Sequence, residues 1–364
     1  MCHVSTFNYS HGNVYASYYA NTVSASENPA YQVARLAYAP ENDLSRKVII
    51  DIMQVGDDLY GRKITGVYDT ILMPKEDEPD NLYILWTAAV EGEYYRLYQV
   101  FNMKTEELGP IGVNRFKVGD TVNDFSRNGM KKALNNEGHG YKTFASDIGI
   151  MQKLSTRVEN GETYYYTGAY CCDFTCIIKS KDLITWEYVA QPNEGANGTG
   201  FENCTRWENA VYVVGDKVYY YVRQWDPLGV QSNGNATTST TNRTENGSYY
   251  GILTAYNLVT GEWEKPILVE DCQSRSDFIM YKGNLYLIYA PTPESGGYDR
   301  QHLGILKIDT NDLTKTEVVL QAQMKHSCFY PFWQFNSDGE LCVSYTFSRK
   351  EIRLASINLS DYLD

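Results

Sequence analysis

A hairpin in the middle of the chain, WENAVYVVGDKVYYYVRQ, carries a glutamate at its entrance, Glu208, and an arginine near its exit, Arg223. A carboxylate can take or give a proton, and a guanidinium can grip an anionic group through paired hydrogen bonds. Comparable residues stand before or within other apolar strands: Tyr68 and Asp69, Asp147 and Gln152, Trp207 beside Glu208, Arg275 and Asp277, His326 and Tyr330. The segment NNEGHGYKTFASD adds His139. Each alone has a plainer reading. Asp69 and Asp277 can cap turns, Arg223 can pair with Glu208 for structural reasons, and the histidines can be ordinary polar residues. As a group they form a polar set whose charges need a ligand or partner to neutralise them.

What would bring them together is a repeat. A turn followed by an aromatic-rich strand recurs six times: GNVYASYYA from Gly12, DNLYILWTA from Asp80, GETYYYTGA from Gly161, GDKVYYYVR from Gly215, GNLYLIYAP from Gly283 and GELCVSYTF from Gly339. Glycine or asparagine at the turn supplies the positive φ that tight hairpins need. Five copies follow an apolar strand (VYDTILM, IGIMQKLST, ENAVYVV, SDFIMYK and FYPFWQF), and the first follows the weaker CHVSTFN. Most lead into a third strand, such as YGILTAYNLVTGEW or LGILKIDTNDLT. Starts spaced 54 to 81 residues apart suit sheets of about four strands.

These modules predict an all-β chain forming a single β-propeller domain over residues 1–364, with six blades favoured and five as the alternative. A two-sheet sandwich would not need so regular a module. Only NDFSRNGMKKAL, 123–134, reads as a helix. Two segments interrupt the rhythm: an insertion at about 104–146, which could lie over the ring face, and a polar loop at about 226–248. In a propeller the innermost strands line a central channel, so the residues singled out above gather at one mouth of it.

Bulk properties exclude several classes. With 43% hydrophobic residues the chain can bury a large core, and 32 tyrosines supply flat faces with polar rims. A net charge of −13 and a pI near 4.9 argue against nucleic acid or an anionic membrane as partner. No apolar run approaches the ~20 residues of a membrane span. Residues 1–25 lack a basic start followed by an apolar run, so no signal peptide is read. The eight cysteines include no CxxC pair, so they are expected reduced and buried, and no metal or cofactor is expected. A structural calcium at the channel centre stays open, as does the oligomeric state.

From Glu208 to Arg223 the chain resembles the corresponding strand pair of sialidases, in which a glutamate opens one strand and an arginine ends the next. The last module, CFYPFWQFNSDGELCVSYTFSRKEIRLASI, is similar to the sialidase closing blade, whose first strand opens with a tyrosine, here Tyr330. SKDLITW, 180–186, resembles a shortened Asp-box, and a related pattern marks the arabinanase- and fructosidase-type propellers. The Arg-Ile-Pro of the first sialidase blade has no counterpart, Tyr68 and Asp69 being offered instead by VYDTILMP.

The resemblance implies a glycoside hydrolase acting on an acidic glycan that contains sialic or uronic acid. Tyr330 would be the nucleophile, Glu208 its base, and Asp69 or Asp147 the general acid. Arg223 and Arg275 would bind the acidic group, with Asp277, Trp207, Tyr68, Gln152, His326 and His139 as further substrate contacts. In a furanosidase-like variant Asp69, Asp147 and Glu208 act as a carboxylate set. Two rivals remain: a polysaccharide lyase on uronic acids, using Tyr330 with His326 or His139, and a non-catalytic glycan-binding propeller.

Overall fold

Tyrosine and aliphatic residues bury both faces of middle strands such as Asn81–Val90 and Leu341–Phe347, and turn residues close the hairpins between strands. Gly215, at φ +60°, closes the hairpin that joins Thr205–Val214 to Lys217–Asp226. The computed structural model describes residues 1–139, 148–171, 174–192, 205–226, 249–271, 274–291 and 300–357, without the side chains of 205–207, 224–226, 249–250 and 357. Asp147, the end of the first insertion, and nearly all of the 226–248 loop therefore lie outside the described residues, as does the Trp207 side chain.

Among the described residues six sheets follow one another along the chain, each built from neighbouring strands. Their first strands are Cys2–Ser10, Arg62–Pro74, Ile148–Ile150, Thr205–Val214, Asp277–Tyr281 and Cys328–Phe335. Cys2–Ser10 touches both Arg62–Pro74 and Cys328–Phe335, so the last sheet packs back onto the first. Strands of every other consecutive pair of sheets also touch. The fold is a β-propeller. Among the described residues sheet six has three strands, whereas sheets one, four and five have four.

The core is divided among the gaps between neighbouring sheets. Trp86, Leu97 and Phe101 of sheet two pack on Leu36 and Met53 of sheet one. Tyr220 and Val222 of sheet four meet Tyr166 and Ile177 of sheet three. Trp333 and Val343 of sheet six meet Tyr286 and Ile288 of sheet five. Wedges of this kind hold neighbouring sheets together, and a further cluster joins residues of sheets one, two, three and six, among them Tyr19, Ile71, Ile150 and Tyr330. The cysteines follow the same logic: Cys171, Cys176, Cys328 and Cys342 are buried.

The described part of the first insertion lies at the rim. Arg115–Val118 pairs in parallel with Thr185–Ala190, the outer strand of sheet three, and Thr121–Asp124 adds one more strand. The helix falls at Arg127–Asn136, capped by the Ser126 side chain and burying Met130, Ala133 and Leu134. Extending the sheet satisfies the insertion's backbone, so these residues thicken the edge of the ring instead of covering its face.

Candidate active site at the channel mouth

Four of the six first strands share an irregularity. Register shifts occur between His3 and Thr6, Tyr68 and Ile71, Arg206 and Asn209, and Phe329 and Phe332. In three of them the bulged residue takes a left-handed backbone: Val4 at φ +53°, Asp69 at φ +46° and Tyr330 at φ +54°. Such conformations are unfavourable for residues with a Cβ and persist where neighbours hold them. The neighbours are visible. Arg96 donates from Nη1 to the Asp69 carbonyl at 2.9 Å, and the Tyr330 amide donates to Ser274 Oγ at 3.1 Å. A bulge re-aims side chains that a regular strand would send into the gap between sheets. Here bulges surround Asp69, Glu208 and Tyr330.

These residues form one buried network. Arg275 donates from Nη2 to Asp69 Oδ2 at 2.8 Å and to Glu208 Oε1 at 3.0 Å, and from Nη1 to Gln152 at 3.4 Å. Arg223 Nη1 donates to Glu208 Oε2 at 2.5 Å and to the Tyr330 hydroxyl at 3.2 Å. The Tyr170 hydroxyl donates to Asp69 Oδ2. The Arg275 guanidinium lies 5.0 Å from the Tyr330 ring centroid, and that of Arg300 lies 6.0 Å away. The His3 ring stands edge-on to Tyr330 at 4.4 Å and shares a hydrogen bond between Nδ1 and Thr346 Oγ1 at 3.3 Å.

Burial and charge set the proton states. Burial works against the Arg275 charge, but Asp69 and Glu208 more than offset it and hold the guanidinium well above the usual arginine range. Burial, and then the Glu208 charge, push the Tyr330 phenol up, with Arg223, Arg300 and Arg275 pulling the other way. It is therefore a neutral hydroxyl at rest. His3 is held well below the ordinary histidine value by burial first and then by Arg349, Arg300, Arg275 and Arg223, so it stays neutral.

The structure thus brings together Tyr330, Glu208, Asp69, Arg223, Arg275 and Gln152. Other expected contacts lie elsewhere. His139 packs against Tyr188 on the outer strand of sheet three, ring centroids 4.7 Å apart, because its insertion runs along the rim. His326 precedes its strand, is exposed, and rests on Phe347. The Tyr68 ring lies beside Tyr94, 6.0 Å away, because the bulge turns Asp69 toward the channel in place of its neighbour. Asp277 points along the channel to Lys153, at 3.2 Å, and not into the Tyr330 group. Sequence reasoning missed His3, Tyr170, Arg96 and Arg300. His3 sits in the weakest module, CHVSTFN, while Arg300 follows the glycine-rich SGGYD and reads as loop. Among the described residues no group of three or more His, Cys, Asp or Glu side chains is arranged to hold a metal ion.

No protein-family model matches the chain, and no curated protein matches it in sequence. Solved structures do resemble it. The NanB sialidase of Streptococcus pneumoniae aligns over 100% of this chain and 69% of its own, with a TM-score of 0.56 at 11% identity. Trypanosoma rangeli sialidase aligns over 95% of this chain and 52% of its own, with a TM-score of 0.56 at 14% identity. A Hadza microbial sialidase aligns over 100% of this chain and 66% of its own, with a TM-score of 0.61 at 9% identity. The Trypanosoma enzyme has also been solved with 2,3-difluorosialic acid as a covalent intermediate. The fold is that of a divergent sialidase-like propeller, and the chain spans about half the length of the trypanosomal enzyme.

Proposed function

We propose that the protein is a glycoside hydrolase acting on an acidic glycan, one carrying sialic or uronic acid, at the channel mouth around Tyr330. The observation that carries this reading is the Arg223 Nη1 nitrogen, bound at once to Glu208 and to the Tyr330 hydroxyl. Three guanidinium groups, Arg223, Arg275 and Arg300, meet two carboxylates, Asp69 and Glu208, within this group. Guanidinium groups beside the phenol suit a substrate carboxylate. As that carboxylate draws Arg223 away from Glu208, the freed Glu208 oxygen becomes a base for the neighbouring phenol.

The reaction then runs in two steps. Tyr330 Oη bonds to the anomeric carbon as its proton passes to Glu208, and the bond to the leaving oxygen breaks. The proton for that oxygen comes from Asp69 or Asp147, the acid being the one that is protonated in the substrate complex, and a carboxylate is left behind. Water next displaces the tyrosyl oxygen from the sugar, passing its proton to the carboxylate left by the first step, while Glu208 returns its proton to Tyr330. A neutral nucleophile is useful beside an anionic substrate because it avoids charge repulsion on approach. The covalent intermediate reported for the Trypanosoma enzyme is consistent with this route.

A lyase would need a histidine to carry the proton. The two candidates read from sequence, His139 and His326, pack on Tyr188 and Phe347 instead, whereas His3 does stand against the Tyr330 ring, so product analysis decides between the two reactions. The test is a panel of sialylated, uronic-acid and neutral glycans with product analysis, using Tyr330→Phe and Glu208→Gln as controls. Release of an acidic monosaccharide by wild type alone supports the proposal. An unsaturated, ultraviolet-absorbing product would move it to the lyase.

A further inference from the structure

Each of three strands or turns that serve the Tyr330 site also places a residue deeper along the channel. After Gln152 comes Lys153, two residues beyond Arg275 comes Asp277, and two to three residues beyond Tyr330 come Phe332 and Trp333. These deeper residues meet. Lys153 Nζ lies 3.2 Å from Asp277 Oδ2, donates to the Trp333 carbonyl at 2.5 Å, and sits 4.4 Å above the Phe332 ring. The Trp333 amide donates to the same Asp277 oxygen at 3.2 Å. A lysine of sheet three is thus bound to a carboxylate of sheet five and to the backbone and a ring of sheet six. Both charged side chains are buried.

We infer that Lys153 and Asp277 form a clasp across the channel that positions Arg275 and Tyr330. The inference rests on the proposed reaction for its catalytic consequence. Neighbouring sheets in the ring are wedged by apolar side chains, but sheets three and five are not neighbours, so wedging does not fix their separation. The clasp does so directly. It stands two residues from Arg275 and three from Trp333 to Tyr330, too close along the chain for a change in one not to move the other. An ammonium has three N–H groups, and here the carboxylate, the carbonyl and the ring face take them all. Lys153 and Asp277 touch no group that would react, so they are positioning residues.

The experiment compares crystal structures and kinetics of wild type and Lys153→Met, with Lys179→Met as control. Lys179 pairs with Glu159 on the same sheet but away from the channel. In Lys153→Met we expect the 5.0 Å separation of the Arg275 guanidinium from the Tyr330 ring to change measurably. We also expect kcat/KM on the substrate found in the glycan panel to fall roughly 10- to 100-fold, as a misplacement of about 1 Å would cause. The control should keep both. If Lys153→Met does not fold, the isosteric Asp277→Asn carries the same comparison. An unchanged Arg275–Tyr330 geometry in the variant that folds overturns the clasp, whatever the activity. Absence of turnover in wild type overturns the proposed reaction and leaves the structural comparison to decide the clasp.

Discussion

Around Tyr330 three arginines meet two carboxylates, whereas a few residues further along the same strands one lysine meets one aspartate. Both groups are buried, and both join sheets across the channel. They differ in what their charges can do. Arginine does not give up its proton in proteins, so the guanidinium groups beside Tyr330 stay charged. Burial instead pushes Asp277 up to about 7 and pulls Lys153 down, which lets the clasp shed charge when its partner is lost. The upper group is fixed in charge and the lower one adapts. That division suits a binding site above a structural tie.

The largest expected effect falls on the upper group. Tyr330→Phe should lower turnover by about three orders of magnitude or more, while removal of one buried hydroxyl costs only about 1 kcal/mol of stability. Steady-state kinetics beside urea unfolding would separate the two. Glu208→Gln should lower turnover by roughly 10²- to 10⁴-fold, the usual contribution of a positioned base. Retained glycan binding in that variant would set catalysis apart from simple recognition.

Stability sharpens the comparison next. Arg275→Met leaves Asp69 and Glu208 buried beside each other and should cost about 3–5 kcal/mol. Lys153→Met should cost less, roughly 1–3 kcal/mol, because Asp277 can take up a proton and become a neutral acid. Equal losses in denaturant melts would show that the two groups do not differ as argued.

The pH dependence follows from the same carboxyl. Asp277 binds its proton more tightly in the folded chain, at about 7, than at its ordinary 3.8. Its contribution is therefore greatest at acid pH and is lost as pH rises from about 4 to 7. The groups facing it are Lys153, the Trp333 amide and the Tyr212 phenol, and the lowered Lys153 acts oppositely at alkaline pH. Asp277→Asn should flatten the fall in melting temperature across that window. The smallest effect belongs to Lys179→Met, a partly exposed pair worth about 0–1 kcal/mol with no change in turnover.

Much of the fold was legible because a hairpin repeat needs only local signals. Glycine at turns, alternating tyrosines and the helix at Arg127–Asn136 all follow from nearest-neighbour physics. The Glu208–Arg223 pair was legible for the same reason, since both stand on one hairpin. What was not legible depends on backbone bulges and on meetings across the ring. No local feature of VYDTILM says that Asp69 turns inward while Tyr68 does not. Nothing in CHVSTFN marks His3 as the residue against Tyr330, and Arg300 joins from a segment that reads as loop. Asp277 was singled out as a charge at a strand start, yet its partner Lys153 follows a short strand of another sheet. The histidines of the insertion and of the last turn misled because proximity in sequence to a strand end was taken as proximity to the channel.

The central claim is that Tyr330, backed by Glu208 and Arg223, breaks a glycosidic bond beside an acidic group. Mass spectrometry of wild type quenched during turnover of a fluorinated acidic-sugar substrate tests it most directly. The expected result is one sugar attached to a peptide containing Tyr330, absent in Tyr330→Phe. Turnover without such an adduct, and undiminished in Tyr330→Phe, would contradict it.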